Sequence, residues 1–209
     1  MTNEQEIGRR VKDGIIGAIK GTGEITDAAV STVSSTVQTA VREAGAAGGA
    51  AGDLVIGAAR GTIRATGEIL SLGAVTAADS IGAAADSAGK AAKSIGNAAK
   101  AAVIGGVRGS SEAGVETMEA ISRASRSAVT EASAVGADIT AAAVGAVEGA
   151  IDIAKETSLS LEDAASAAAV GAVEAAGEIG DTAGSRVRNA VQGTIRGVKV
   201  VLKEPMAKP

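Results

Sequence analysis

Apolar residues recur at helical spacing along most of the chain, and this pattern predicts long amphipathic helices. Near the beginning, Ile19, Val30 and Val41 stand eleven residues apart on one stripe. Thr2, with a glutamine three residues later, is typical of a helix start. We therefore expect a first helix that extends to about Ala44.

Clusters of glycine and capping residues divide the rest of the chain and predict its turns. These clusters lie at residues 45–53, 96–97, 136–138 and 177–184. Residues 158–163 are either a further break or only a polar face of a helix, since Ser160 and Asp163 have capping spacing. The predicted helices after the first are residues 54–94, a third ending at 135, a fourth from 139, and a fifth at 185–202.

A five-residue motif with glycine at both ends recurs along the chain. Its copies are Gly17 and Gly21, Gly57 and Gly61, Gly105 and Gly109, Gly145 and Gly149, and Gly193 and Gly197. The copies are separated by 40, 48, 40 and 48 residues, which indicates a repeat of about 88 residues with two unequal halves. We expect a helical hairpin repeat at 1–96, a second at 97–184, a terminal helix at 185–204 and a loose tail at 205–209.

Glycines four residues apart lie on one face of a helix, where they let a neighbouring backbone approach closely and gain dispersion contacts. An Ala- and Gly-rich composition would also produce such pairs by chance, but these copies keep both spacing and register. The sequence thus predicts an all-α fold of about five long helices in antiparallel hairpins. The ten glycines of the motif are its predicted helix-packing residues.

A charged residue occupies the fourth position of most copies, and its sign changes along the chain. The residues are Lys20, Arg60, Arg108, Glu148, Glu174 of a variant copy at 171–175, and Arg196. This change could pair a basic helix with an acidic neighbour in the same or an adjacent molecule. The alternative is a solvated face, since exposed ion pairs contribute little to stability.

Composition limits the core that one copy can build. Hydrophobic residues make up 46% of the chain, but 49 residues are alanine, six are leucine and none is aromatic. Ordering costs roughly 1–2 kcal/mol per residue, and small side chains bury little apolar surface to offset it. We therefore expect association with copies of the chain or with a larger assembly to complete the burial.

The residues that carry most enzyme chemistry are scarce. The chain has no cysteine and no histidine, which excludes thiolate nucleophiles, imidazole bases and zinc sites built on these residues. Glu112, Glu116 and Glu119 have helical spacing, but di-iron bundles combine glutamate with histidine. No glycine-rich phosphate loop occurs. We expect no enzyme activity, no catalytic residues, no cofactor and no bound metal.

Charge and hydropathy restrict the partners and the location. The net charge of −4 and the lack of a basic stripe with aromatics argue against nucleic acid. No signal peptide and no transmembrane segment are readable, so a cytoplasmic location is expected, with export by another route left open.

The first hypothesis for function is a non-enzymatic structural protein that self-associates, or packs into a larger assembly, through Gly and Ala helix faces. The alternative is an amphipathic coat on a lipid, droplet or polymer-granule surface. The eleven-residue recurrence and the Ala/Gly/Val/Thr composition resemble those of synucleins and perilipin repeats, which coat lipid surfaces. The lack of Trp and Phe makes a membrane or granule partner the less favoured of the two.

Overall fold

A computed structural model gives the fold and describes Arg9 and residues 11–15, 30–46, 51–74, 81–112 and 116–202. The protein is all-α except for a short hairpin near the C-terminus. The helices after residue 15 are α1 (Val30–Ala46), α2 (Ala51–Ala74), α3 (Ile81–Glu112), α4 (Thr117–Ala134), α5 (Ile139–Thr157), α6 (Leu161–Ile179) and α7 (Asp181–Val191). They are followed by β1 (Gly193–Ile195) and β2 (Val198–Val200).

The helices form two layers. Helix α3 packs between α1 and α5, and these three form the odd layer. Helix α4 packs between α2 and α6, and these three form the even layer. Helices within a layer run parallel: Lys100 of α3 lies beside Gly149 of α5, and further along Arg108 lies beside Glu156. Each layer therefore joins helices that are two apart in the sequence.

Small side chains fill the space between the layers. The buried residues are mainly alanine and valine, and the largest fully buried side chains include Ile63, Ile95, Ile121 and Ile151. Interiors pack densely whatever their residue size, so small residues require the helix axes to lie close together. Within the described residues, no helix combines the length and apolar character needed to cross a membrane.

Two of the predicted breaks are confirmed by cap geometry. Asp138 caps α5, because its Oδ1 accepts hydrogen bonds from the N–H groups of Thr140 at 2.8 Å and Ala141 at 3.1 Å. Helix α5 ends where Ser158 takes the left-handed conformation, with φ of 58°. Ser160 then caps α6 by accepting from the N–H of Asp163 at 3.2 Å.

The predicted turn at residues 96–97 is wrong, because α3 continues from Ile81 to Glu112. A Cβ added to Gly96 would lie 3.3 Å from the carbonyl oxygen of Ala141 in α5. This glycine serves close helix packing within α3, and no change of chain direction occurs there. The predicted boundary between repeats at 96/97 consequently divides one helix, and the 88-residue unit remains a prediction.

The first two predicted helices are also too long. Gly14 lies against α1, where an added Cβ would be 2.8 Å from Cγ2 of Thr36. In one straight helix, 22 residues would separate these two positions by about 33 Å. Similarly, α2 and α3 pack on each other, so residues 54–94 are not one helix. Folding back buries apolar faces that a single long helix would leave exposed.

The predicted terminal helix is wrong beyond Val191. Strands β1 and β2 pair antiparallel, with Ile195 opposite Val198. The two residues between them, Arg196 and Gly197, both have positive φ, at 49° and 83°. This is the conformation that tight hairpin turns require, and β-branched residues on both sides favour strands over helix. The hairpin contacts α5 and α6, beside α7.

Candidate packing interface

The glycine pair of α3 faces α1. A Cβ at Gly105 would overlap the carbonyl oxygen of Ser34 and would lie 2.6 Å from Cβ of Val37. One turn later, a Cβ at Gly109 would lie 2.6 Å from Cβ of Val41. Separations below 3.0 Å are not compatible with packed carbon atoms, so these positions accept no side chain unless the helices move apart.

The pair of α5 makes the same kind of contact with α3. A Cβ at Gly145 would overlap the backbone of Gly96, so that glycine lies on both sides of this crossing. A Cβ at Gly149 would be 2.7 Å from the carbonyl oxygen of Lys100 and 3.1 Å from Cβ of Val103. Both steps of the odd layer are thus built on a Gly-x-x-x-Gly face that receives the preceding parallel helix.

In the even layer, the variant copy supplies one close contact. A Cβ at Gly171 of α6 would overlap the carbonyl oxygen of Ser122 in α4 and would lie 2.9 Å from its Oγ. Gly57 and Gly61 of α2 are both buried. The step from α2 to α4 also includes a polar contact, in which the Ser127 hydroxyl donates to the carbonyl of Ile56 at 3.1 Å.

The glycines of the last motif copy do not pack helices. Gly193 and Gly197 are exposed residues of the hairpin, and nothing lies within 4 Å of a Cβ added at either position. Their positive φ values of 118° and 83° explain the need for glycine at these positions. The prediction is therefore wrong for this copy. Gly17 and Gly21 lie outside the described residues.

Ion pairs connect neighbouring helices within each layer. In the odd layer, Lys100 Nζ lies 2.7 Å from Asp152 Oδ2, and Arg108 Nη2 lies 2.6 Å from Glu156 Oε2. In these pairs, and in those of the even layer named next, the cation belongs to the earlier helix and the carboxylate to the later one. The even-layer pairs join Arg60 and Arg64 to Glu131, and Arg126 to Glu174 and Glu178.

These contacts show where the fourth-position charges lie. Arg108 and Glu174 are in pairs between helices, and Arg60 lies 3.6 Å from Glu131, which is only 3% exposed. Glu148 forms no ion pair with any described residue. Lys20 lies outside the described residues. The pairing hypothesis thus holds for some copies within one molecule, and the solvated-face interpretation fits Glu148.

Asp152 links the hairpin to the odd layer. Its carboxylate lies 2.7 Å from Lys100 Nζ, 3.0 Å from Arg196 Nη1 and 3.7 Å from Lys155 Nζ. Partial burial raises the pKa of Asp152, but the hydrogen bond from Lys100 and the three nearby positive charges outweigh it and hold the pKa below its ordinary value of 3.8. The carboxylate therefore stays ionised and attaches the β-turn to α5.

Two of the glutamates considered as metal ligands, Glu116 and Glu119, have local roles. The Glu116 carboxylate caps α4 by accepting from the N–H of Glu119 at 3.1 Å. Glu119 in turn accepts from Arg123 Nε at 3.0 Å. Within the described residues, no group of three His, Cys, Asp or Glu side chains has an arrangement suited to a metal ion.

Comparisons of the chain with protein-family models, curated proteins and solved structures find no match. Conclusions about function therefore depend on the geometry of this chain. The dominant feature of that geometry is the glycine contacts of the odd layer. The interhelical ion pairs are its second feature.

Proposed function

We propose that this chain is a non-enzymatic structural protein, a closely packed array of thin helices that self-associates or joins a larger assembly. The observation that carries this proposal is the repeated glycine contact between α1 and α3 and between α3 and α5. An array of this kind presents the outer faces of its helices in a regular order, as stacked helical repeats do.

The glycine contacts also limit how association can occur. Helices of the same chain already occupy the space beside the glycines Gly105, Gly109, Gly145 and Gly149. Another molecule would have to displace those helices to use the same faces. Association of intact molecules therefore uses other surfaces, and this modifies the expectation that glycine faces bind a second molecule.

The lipid-coat alternative has less support. Its apolar stripe on α1 consists of Val30, Val33, Val37 and Val41, and all four side chains are buried against the rest of the protein. Binding to a lipid surface would require the array to open and to lose these contacts. The alternative predicts a gain of helix on addition of vesicles, whereas the structural proposal predicts little change.

Sedimentation of the full-length protein over a wide concentration range tests the proposal. We expect species heavier than the 20.0 kDa monomer, with a mass that falls on dilution. Negative-stain images of the concentrated sample then distinguish discrete particles from filaments. A monomer at every concentration would contradict self-association.

A further inference from the structure

A groove remains open where the even layer ends. It has a volume of 490 Å³ and lies between α6 and α7, with Leu202 at its edge. Val170, Val173, Glu174 and Gly177 of α6 form one wall, and Glu174 also pairs with Arg126 of α4.

The other wall of the groove is a face of α7 with opposite charges at its two ends. Asp181, Ser185 and Arg188 line this wall. Asp181 and Arg188 are two helical turns apart, a distance of about 10 Å along the axis. The centre between them is occupied by Gly184 and Ser185, which are small. Within the described part of the chain, neither charged side chain forms an ion pair.

Such a face is complementary to itself when two copies meet antiparallel. A two-fold axis close to Ser185 places Asp181 of each molecule opposite Arg188 of the other. We infer that two copies of this chain associate through α7, each laying this helix along the groove of its partner. The inference rests on the proposed structural function and names the self-association surface.

The size of the surface sets the expected strength. Helix α7 has 11 residues, so it is about 16 Å long. Stable dimers commonly bury about 800 Å² on each partner, and a contact of one short helix with one groove is at or below that size. The dimer should therefore be weak and dependent on concentration, with two reciprocal charge pairs that determine its register.

Charge reversal tests the pairing in the full-length chain. Arg188→Asp places carboxylates opposite each other at both ends of the contact, so we expect its dissociation constant in sedimentation equilibrium to rise at least about tenfold. The double variant with Asp181→Arg and Arg188→Asp restores complementarity and should return to within about threefold of the unchanged protein. Circular dichroism and thermal unfolding check that each variant remains folded.

Arg186→Asp is the matched control. It makes the same charge change on an exposed position of α7 that does not line the groove. We expect its dissociation constant to stay close to that of the unchanged protein. Equal effects of Arg186→Asp and Arg188→Asp, or a double variant that fails to recover, would overturn the inference.

A cross-link detects even a weak dimer. The chain contains no cysteine, so Ser185→Cys introduces one thiol beside the proposed axis. Mild oxidation should give a covalent dimer on a non-reducing gel faster than it does with Arg186→Cys. Equal rates for the two variants would exclude the α7 contact.

The outcomes separate the two proposals. Self-association of the unchanged protein that none of the α7 variants alters would reject the α7 contact and leave the structural function standing. A chain that is monomeric at every concentration, with no preferential cross-link, would reject both the α7 contact and the self-association of the proposed function. The groove would then be left to the C-terminal residues or to a different protein.

Discussion

The copies of the five-residue motif at 145–149 and at 193–197 have the same glycine spacing and opposite structures. In α5, Gly145 and Gly149 lie against α3 where no side chain fits. In the hairpin, Gly193 and Gly197 face open space and have positive φ. In α5, glycine is required because a side chain would collide with α3. In the hairpin, glycine is required because the backbone has positive φ. The flanking residues decide between them: alanine and valine surround the first copy, and a denser run of β-branched residues surrounds the second.

The largest expected effect comes from removing the space at the helix crossing. Gly145→Ala directs a methyl group into the backbone of Gly96, and we expect a loss of about 3 kcal/mol in the free energy of unfolding. Urea unfolding followed by circular dichroism measures it. Gly89→Ala is the matched control, because Gly89 is in α3 with nothing within 4 Å of an added Cβ. It should stabilise the protein by up to about 1 kcal/mol, and a loss equal to that of Gly145→Ala would contradict the packing claim.

A smaller, local effect is expected in the hairpin. Gly197→Val places a β-branched residue at φ of 83° and should destabilise the hairpin by about 2 kcal/mol. Gly197→Asn should cost less, because asparagine tolerates the left-handed region. Hydrogen exchange of the β2 amides reports the loss. At Gly145, by contrast, asparagine should be more damaging than alanine, because the size of the side chain and not φ is the limit there. An equal cost for Val and Asn at position 197 would show that φ is not the reason for glycine there.

The smallest expected effect is at the attachment between hairpin and array. Asp152→Asn removes the carboxylate that binds Lys100 and Arg196, and we expect a loss of about 1 kcal/mol at neutral pH. Because folding lowers the pKa of Asp152, its contribution is complete above 3.8 and disappears as the pH falls through the lower folded value. The free energies of unfolding of the unchanged protein and of Asp152→Asn should therefore differ at neutral pH and become equal in increasingly acidic buffers. Urea unfolding at each pH measures them.

Glu148→Gln is the control for this measurement, since Glu148 is on the same helix and forms no ion pair with the described residues. It should leave stability nearly unchanged at every pH. A difference between the unchanged protein and Asp152→Asn that persists well below pH 3.8 would rule out the carboxylate as its cause.

Helical periodicity and cap chemistry predict much of this fold. The breaks at Asp138 and Ser160 follow from local hydrogen bonding, which the sequence encodes within a few residues. The glycine spacing points to positions such as Gly105 and Gly145, and both lie against a neighbouring helix. The partner is harder to predict, because the Gly105 face meets α1, which is two helices away, and spacing carries no information about which helix fills a face.

The predicted turn at residues 96–97 and the predicted terminal helix are wrong for different physical reasons. Gly96 is beside an asparagine, and such a pair is as typical of a turn as of close packing, so only the position of α5 distinguishes the two. The hairpin had a recognisable signal in Arg196-Gly197 between β-branched residues. The helical spacing of Val187, Val191, Ile195 and Val198 predicts a helix instead. At this end of the chain the local preference of β-branched residues for strands decides the structure.

The parallel alignment of the helices in the odd layer limits where residues can be inserted or deleted. One residue inserted before Gly145 within α5 would rotate the preceding turns by about 100° relative to the glycines. The Asp138 cap and the first turn of α5 would then lose their present orientation while Gly145 and Gly149 stay against α3. Insertions and deletions should then be tolerated in the connections, such as residues 158–160, and rejected inside the helices. Among natural variants of this chain, helix lengths should stay constant while the turns differ.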